Sequence, residues 1–317
     1  MSDRMIWGYL VHLSFNMWSD RSGKDAYLPA KNRLQFDRGV FDAILKKMKS
    51  VGANTVVIDI GDGVRYRSHP EIAVKGAWPV ALLRRELARI RAMGIEPIPK
   101  LNFSTCHDHW LGPYSRMVST PAYYRVCRDL ISEVARIFDR PRFFHLGMDE
   151  ETAQHQRTFR YVVIRQHDLW WHDMKYLLRQ VERAGVRPWI WSDYIWHHGR
   201  EFLRLMPRSV LQSNWYYGKS FSRKKVYVES YVDLEKHGYD QVPTGANIMA
   251  SWAHPDSFPG NVRFCTANIG RKRLKGFLQT LWKPTTGENL RAHMRSLDIL
   301  KAGREIYERM NAGKGRR

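Results

Sequence analysis

The chain has 317 residues, of which 44% are hydrophobic, enough for a sizeable core and too many for global disorder. Its 52 basic and 31 acidic residues give a net charge of +21, which favours anionic partners such as nucleic acid, an anionic membrane or an acidic polysaccharide. The basic residues are dispersed along the chain, so a basic surface without a dedicated partner is the simpler interpretation.

The cysteines and the chain ends bear on the compartment. Cys106, Cys127 and Cys265 are few, odd in number and far apart, so neither a disulfide framework nor a paired-cysteine zinc site is predicted. The N-terminus lacks the apolar region of a signal peptide, and no apolar run is long enough to span a membrane. We therefore expect a cytoplasmic protein without a membrane partner, with a fragment of a longer secreted precursor as the alternative. Residues 312–317 form a short basic tail that we expect to be frayed.

In the first half of the chain, apolar and β-branched runs alternate with segments of helical spacing. We predict strands at residues 6–15, 54–60, 95–103 and 143–148, followed by helices at 36–51, 79–93, 120–138 and 169–184. Asp37 is a candidate N-cap for the first helix, and Pro121 suits the first turn of the third.

The alternation continues through the second half. We predict strands at residues 187–195, 210–217, 241–247 and 277–282, with helices at 200–205, 231–237, 262–274 and 288–310. Eight strand–helix units predict one α/β domain over residues 1–317, a single (β/α)8 TIM barrel. Because the sixth and seventh units are weak, an open doubly wound sheet and an incomplete barrel are the alternative architectures.

Three consecutive acids follow the predicted fourth strand. Asp149, Glu150 and Glu151 come directly after an apolar run, and carboxylates at the end of a buried strand cost desolvation energy. Two adjacent acids in different environments can divide into a proton donor and a charged partner, as glycosidic-bond chemistry requires. Ordinary surface charge on a solvated loop is an equally open interpretation.

Tryptophan recurs at the predicted C-terminal ends of the strands, where barrel enzymes place their active sites. Trp191, Trp215 and Trp282 fall on the fifth, sixth and eighth strands, and their flat faces can stack on a sugar ring. Core packing is the alternative role for any one of them. Polar candidates for hydroxyl binding at neighbouring strand ends are Asp62, Asn102, His107, Asp193 and Asn214.

His107 and His109 raise the question of a metal. Two histidines separated by one residue can share a face of a strand and bind zinc. The pair falls in a predicted loop, and no further histidine is well placed by sequence. We therefore predict no metal site and no cofactor, and a hydrogen-bonding role for one of the two. A metal hydrolase is a lesser alternative.

Several segments together resemble the family 20 glycoside hydrolases, the β-N-acetylhexosaminidases. Residues 145–150 read His-Leu-Gly-Met-Asp-Glu, similar to the fourth-strand motif His-x-Gly-Gly-Asp-Glu of that family. Residues 69–72 and 76–77, His-Pro-Glu-Ile and Gly-Ala, look like the family's Tyr-Pro-Glu-Leu and Gly-Ala segments, and residues 191–193 look like its Trp-Asp-Glu. The resemblance runs from about residue 36 to the end of the chain.

The resemblance implies a retaining, substrate-assisted reaction. Glu150 would be the general acid and then the base, and Asp149 would orient the 2-acetamido group whose oxygen attacks the anomeric carbon. A tryptophan-lined pocket can keep an acid protonated by desolvation. The resemblance also implies a carbohydrate partner and substrate-binding roles for Asp62, Asn102, His107, His145, Trp191, Asp193, Asn214, Trp215 and Trp282.

Three departures from the family pattern bear on the substrate. Met148 stands where the motif has its second glycine, residues 6–18 contain no arginine to grip sugar hydroxyls, and Pro284 replaces a glutamate. Lost polar partners change specificity strongly. We therefore expect a modified, differently linked or acidic N-acetylhexosamine. The alternatives are a non-catalytic carbohydrate-binding barrel and, with no supporting motif, a basic nucleic-acid-binding protein; the oligomeric state is not predicted.

Overall fold

The protein, seen in a computed structural model, is described over residues 4–19, 28–247 and 254–312. Eight parallel strands form one sheet: β1 (Ile6–His12), β2 (Thr55–Asp59), β3 (Glu96–Lys100), β4 (Phe143–His145), β5 (Arg187–Trp191), β6 (Leu211–Ser213), β7 (Thr244–Ala246) and β8 (Gly276–Thr280). Each strand is followed by a helix: α1 (Arg38–Ser50), α2 (Val80–Ala92), α3 (Pro121–Ile137), α4 (His167–Arg183), α5 (Ile195–Leu205), α6 (Val226–Lys236), α7 (Ser257–Asn268) and α8 (Leu290–Ala312). A short parallel ribbon pairs Val64–Arg65 with Trp78–Pro79.

The strands close into a barrel. Their order is β6-β5-β4-β3-β2-β1-β8-β7, and the two ends of this sheet meet through parallel bridges from Gln212 to Gln241 and from Trp215 to Thr244. The Val242 N–H donates to the Gln212 carbonyl across 2.8 Å at this junction. The predicted (β/α)8 TIM barrel is therefore confirmed, and an open doubly wound sheet is excluded.

Both faces of the strands are buried, as parallel sheets require. All seven residues of β1 are buried, because one face lines the barrel interior and the other packs against helices. Leu10, Ile98, Trp189 and Leu278 contribute to the interior cluster. Burying each such side chain contributes roughly 2–3 kcal/mol. The continuous apolar runs that predicted strands thus reflect burial on both sides.

Local signals set several helix boundaries. The Asp37 carboxylate accepts hydrogen bonds from the N–H groups of Gly39 and Val40, so its predicted N-cap role is confirmed. Thr120 caps α3, with Pro121 in the first turn. Among the described residues, none of the helices has the length and apolar content that a membrane span needs.

Some predicted bounds were wrong. The strand predicted at residues 187–195 ends at Trp191, and α5 begins at Ile195 rather than at residue 200. The strand predicted to reach residue 148 ends at His145, because Gly147 and Met148 have positive φ angles of 70° and 75° that an extended strand does not accept. Residues 313–317 of the predicted basic tail lie outside the described residues.

Candidate active site

The turn after β4 separates three adjacent acids. Gly147, Met148 and Glu150 all have positive φ, at 70°, 75° and 57°, so the chain does not alternate its side chains as a strand would. Asp149 is 6% exposed, and the Glu150 side chain is 21% exposed. Glu151 is buried against Arg165. The three carboxylates therefore occupy three different environments.

Asp149 is a buried carboxylate with two polar partners. The Asn102 amide donates to its Oδ1 across 2.7 Å, and His107 Nε2 lies 3.3 Å from its Oδ2. Burial by itself would raise the pKa of Asp149, but the charges of His107 and Lys100 and the Asn102 hydrogen bond outweigh it and hold that pKa below its usual range. Asp149 is therefore an anion at neutral pH.

Asn102, on the loop after β3, has a fixed amide orientation. Its Oδ1 accepts from the N–H groups of Ser104 and Met148, each across 3.1 Å, so its NH2 group must face Asp149. A Cβ on Gly147 would overlap the Asn102 side chain and lie 2.8 Å from Asn102 Cα. The glycine of the fourth-strand motif thus makes room for the residue that orients Asp149.

Glu150 lies between two histidines. His107 Nε2 is 3.4 Å from its Oε2, and His155 Nε2 is 3.4 Å from its Oε1. Its main-chain N–H donates to Asp193 Oδ2 across 2.9 Å. Because its carboxyl group keeps partial exposure, Glu150 can exchange a proton with a ligand or with water, which a fully enclosed acid cannot do.

His107 bridges the two acids. Burial by itself would lower the pKa of the His107 imidazole. The neighbouring Asp149 and Glu150 carboxylates outweigh this effect and raise the pKa to about 10. Its ring is 4% exposed. A buried imidazolium therefore lies within 3.4 Å of both carboxylates and stabilises negative charge there.

Asp193, just beyond β5, has a raised pKa, whereas the pKa of Asp149 is lowered. Burial and the nearby Asp149 charge raise the pKa of Asp193 to about 8, although the Glu150 N–H partly offsets them. Its Oδ1 also lies 3.4 Å from the Trp215 indole nitrogen. Asp193 is thus a carboxylic acid that is mostly neutral at pH 7, and it joins the Glu150 main chain to the aromatic wall.

Aromatic rings form a wall beside the acids. Trp215 stacks on Tyr217 with ring centroids 4.9 Å apart, and the Trp282 indole donates to the Tyr217 hydroxyl across 3.3 Å. Trp191 is fully buried and meets Trp282 edge-on at 6.2 Å. Trp215 and Trp282 remain partly exposed. The three tryptophans predicted to wall a sugar pocket therefore lie together, with Tyr217 as a fourth ring that the sequence did not single out.

Several solved structures are similar in fold to this chain. The Flavobacterium johnsoniae chitobiase superposes with a TM-score of 0.67 at 15% identity, over 94% of this chain and 48% of that one. The Streptomyces plicatus hexosaminidase bound to thio-NAglucal gives a TM-score of 0.65 at 11% identity, over 95% of this chain and 64% of that one. At these identities the likeness shows a shared fold, the (β/α)8 barrel.

Dispersin B matches with a TM-score of 0.58 at 15% identity, over 84% of this chain and 94% of that one. This chain spans about half the length of the chitobiase chain that it matches. No sequence-family model matches the chain, and no curated protein does.

The first-strand region has no arginine of the kind that the resemblance predicts, and the ring nitrogens of His12, although without hydrogen-bond partners among the described residues, are buried. His12 is fully buried, with Nδ1 3.6 Å from Asp59. Asn16 Nδ2 donates to the Lys31 carbonyl and to Asp62, both across 2.8 Å, and Asn16 Oδ1 accepts from the Lys31 N–H. Neither side chain therefore replaces the arginine that the resemblance predicts.

Below Asp149, the barrel interior holds a charged layer in which His145 was predicted as a site residue and Lys100 was not. Lys100 is fully buried and forms an ion pair with Asp59. His145, the register partner of Lys100, accepts the Gly147 N–H at its Nδ1 across 3.0 Å. Burial, and then the Lys100 charge, hold the pKa of His145 well below its usual range. His145 thus supports the β4 turn from inside the barrel as a neutral ring.

Two of the predicted substrate-binding residues, Asp62 and Asn214, form hydrogen bonds with other groups of the protein. Asp62 accepts from Ser14 and Asn16, and burial raises its pKa to about 6. Asn214 accepts from the Trp196 indole across 2.9 Å and donates to the Tyr227 carbonyl across 2.7 Å. Both side chains hold loops at the mouth of the barrel, and no contact joins them to Asp149 or Glu150 among the described hydrogen bonds and ion pairs.

Glu151 and Arg165 pin the loop after β4. Arg165 donates to both Glu151 oxygens, across 2.8 and 2.6 Å, and to Asp173 on α4 across 3.1 Å. It also donates to the Phe103 carbonyl across 2.8 Å. The third acid of the predicted run is therefore a structural anchor.

His109 diverges from His107. Its Nδ1 lies 3.0 Å from Ser19 Oγ, and it lines a cleft of about 410 Å³ beside the barrel mouth. Trp18 lines the same cleft and meets the His107 ring edge-on at 5.9 Å. The two histidines do not converge, so the hypothesis of a metal held by this pair lacks support from the described geometry.

Proposed function

We propose that the protein is a glycoside hydrolase that removes a β-linked N-acetylhexosamine with retention of configuration. Glu150 is the acid and base, and the substrate's own acetamido oxygen is the nucleophile. The observation that carries the proposal is the contrast between Asp149, buried and ionised beside Asn102 and His107, and its partly exposed neighbour Glu150. One such acid can hold a polar group while the other transfers a proton.

In the first step, the Asp149 carboxylate accepts the acetamido N–H, which directs the carbonyl oxygen at the anomeric carbon. That oxygen forms the new bond as the glycosidic C–O bond breaks, and Glu150 gives its proton to the departing oxygen. In the second step, water attacks the anomeric carbon, Glu150 takes a proton from it, and the acetamido oxygen leaves. Adjacent acids suffice because the second carboxylate need not face the first across the sugar, as it does when it is itself the nucleophile.

The aromatic wall supports a sugar ligand. The rings of Trp215, Tyr217 and Trp282 adjoin each other, and Trp215 reaches Asp193, which in turn holds the Glu150 main chain. Sugar C–H faces pack on such rings while polar groups fix the orientation. Among the structures that superpose on this chain, an exo-β-N-acetylglucosaminidase from Vibrio harveyi is in complex with N-acetylglucosamine.

We further propose that the part of the substrate beyond the cleaved bond is acidic. The cleft next to His107 is lined by Arg116, Arg160 and the rings of Trp18, Phe159 and Tyr161, and its described lining contains no aspartate or glutamate. Arg160 is exposed, whereas the Arg116 side chain is 6% exposed and donates to Gln156 and to the Tyr161 carbonyl, so Arg160 is the group that can meet a ligand. Guanidinium groups pair with carboxylate or sulfate groups, and the net charge of +21 favours their approach.

The first experiment measures hydrolysis of an aryl β-N-acetylglucosaminide and of its galactosamine analogue. We expect turnover by the wild type, a loss of at least about 100-fold in Glu150→Gln and Asp149→Asn, and no change in Glu305→Gln, an exposed acid on α8. An aryl β-glucoside, which lacks the acetamido group, should not be cleaved. Cleavage of the glucoside at a similar rate would contradict the substrate-assisted step.

The second experiment tests the acidic substrate with sulfated and uronate-containing oligosaccharides against neutral ones. Arg160→Ala should raise KM for the acidic substrates alone and reduce the dependence of KM on salt. Arg157→Ala is the matched control, because Arg157 is exposed on the same loop and is not part of the cleft lining. Equal KM values for acidic and neutral substrates would contradict this refinement.

A carbohydrate-binding barrel without catalysis is the second candidate. It is considered because the first-strand arginine that the resemblance predicts is absent, and neither His12, which is fully buried, nor Asn16, which is bonded to Lys31 and Asp62, replaces it. It predicts binding of N-acetylhexosamine oligomers by calorimetry, equal in wild type and Glu150→Gln, with no turnover by either.

We also propose that the protein works in a reducing compartment such as the cytoplasm. Its three cysteines are buried free thiols, as is usual where thiols stay reduced. Localising a tagged full-length protein in its native cells would test this proposal.

A further inference from the structure

A sulfur, a nitrogen and an oxygen donor converge beside the two acids. Ligand atoms of Cys106, His107 and Glu150 all lie within 4.8 Å of one another. Cys106 and His107 come from the loop after β3, and Glu150 from the turn after β4, so two anchored loops bring the donors together. Cys106 is fully buried. Its place next to the proton-donating acid has no part in the hydrolysis proposed above.

The donors in this cluster are incompletely satisfied. Within the described part of the chain, neither ring nitrogen of His107 has a partner in hydrogen-bonding geometry, although Nε2 lies 3.3 and 3.4 Å from the two carboxylates. Once the His107 imidazolium has released a proton, a ring nitrogen carries a free electron pair that a bound cation would take. The Cys106 thiol makes only a long contact, 3.7 Å, to the His155 carbonyl.

The chemistry of the donors selects the ion. Thiolate and imidazole ligands favour Zn²⁺ over the hard ions Mg²⁺ and Ca²⁺, which take oxygen ligands. Three protein ligands leave a fourth tetrahedral position open. Two further donors lie near the cluster: His155 Nε2 is 3.4 Å from the other Glu150 oxygen, and Asp149 Oδ2 is 3.3 Å from His107 Nε2. The set therefore matches a borderline-soft ion with one open position.

We propose that Cys106, His107 and Glu150 form a Zn²⁺ site that competes with the sugar substrate. On binding, the Cys106 thiol and the His107 imidazolium each release a proton to solvent, and the ion takes an electron pair from each of the three donors. Glu150 is then a metal ligand and cannot protonate a departing oxygen. The inhibition rests on the proposed function, but the binding of zinc does not.

Binding is tested with Zn²⁺ alone on the full-length, reduced protein, by competition with a chromophoric chelator. We expect one zinc per chain, and a loss of affinity in Cys106→Ala and Glu150→Gln at least as large as the roughly 10–100-fold that loss of an outer-shell partner costs. Cys265→Ala removes a buried thiol from a different part of the barrel and is the matched control. Zinc affinity unchanged in Cys106→Ala would overturn the proposal.

Cobalt(II) provides a direct readout of the sulfur ligand. The wild type should develop a near-ultraviolet sulfur-to-cobalt charge-transfer band that Cys106→Ala lacks, and Cys106→Ser serves if the alanine variant does not fold. A wild-type complex without this band would contradict a cysteine ligand. Because metal binding is read without any sugar, failure of the zinc site and failure of the hydrolase proposal give different results. If hydrolysis is found, zinc should inhibit it competitively.

Discussion

The main-chain N–H of Glu150 donates to the carboxyl group of Asp193 across 2.9 Å, which links the end of β5 to the turn after β4. Glu150 has a φ angle of 57°, in the left-handed region that costs a non-glycine residue about 1–2 kcal/mol. The hydrogen bond offsets part of this cost. Asp193 is thus a positioning residue for the acid beside it.

Removing that acceptor should lower turnover more than binding. In Asp193→Ala, Glu150 loses its main-chain anchor, and we expect kcat to fall by about 100-fold with a small change in KM, because a displacement near 1 Å can cost that much. Asp193→Asn keeps a neutral acceptor and should recover most of the rate, since Asp193 itself is mostly neutral at pH 7. Steady-state kinetics of both variants check this; equal losses in the two would contradict it.

His107 should make stability depend on pH. Its pKa is about 10 in the folded protein and 6.5 in its ordinary state, so the folded state binds the proton more tightly. The resulting stabilisation is complete below pH 6.5 and is lost as pH rises to 10.

His107→Gln should flatten the decline in the free energy of unfolding, measured in urea, between pH 8 and 10. The range from pH 8 to 10 lies above the pKa of Asp193, which is about 8. The pH dependence of stability that Asp193 causes is therefore expected mainly below this range. An equally steep decline in wild type and variant would show that His107 is not the group responsible. Substitution of the exposed His237 controls for histidine loss alone.

Gly147→Ala should damage the site as well as the fold. The new Cβ would overlap Asn102, which orients Asp149, and the φ of 70° disfavours any side chain. Gly94 has a similar φ of 79°, and a Cβ added there would meet no atom within 4 Å, so Gly94→Ala isolates the backbone cost.

We expect Gly94→Ala to lose about 1 kcal/mol with full activity, and Gly147→Ala to lose more stability and most of the hydrolytic rate. Thermal unfolding and aryl-glycoside kinetics distinguish the two. Similar activity in both variants would show that Asn102 can move without harm.

Lys100→Met should leave the Asp59 carboxylate buried without its cation. Breaking a buried ion pair from one side costs about 3–5 kcal/mol, so we expect a loss of this size in the free energy of unfolding. The double variant Asp59→Asn, Lys100→Met removes both charges and should recover part of the loss. A double variant less stable than Lys100→Met alone would contradict the ion-pair account.

The barrel was predictable because its strands are continuous apolar runs and its helices have apolar faces of helical spacing. Each predicted strand overlaps one of the eight, and even the weak seventh unit forms β7. The error at α5 has a local cause. Ile195 and Trp196 continue the aromatic run of β5, so hydrophobicity alone does not reveal that the chain turns after Trp191.

The site was only partly predictable. Asp149 and Glu150 could be predicted because they follow a buried strand. Glu151 follows the same strand but forms an ion pair with Arg165, so position in the sequence does not distinguish its structural role. Their difference arises from backbone angles at residues 147–150, which composition does not encode. Lys100 lies inside the strand predicted at residues 95–103, but a lysine ordinarily faces solvent and was not considered for the barrel interior. Its alternation with Ile98, which faces the interior, was the available signal.

Arg165 makes the entrance to the acids rigid. It ties the loop after β4 to the loop after β3 and to α4, and swinging that loop aside would break ion pairs between buried charges. All of these bonds must break before the loop can move, which favours the closed arrangement. Ligands would then reach the two acids without movement of the loop after β4. Chemistry or product release, rather than movement of this loop, would set the pace of turnover.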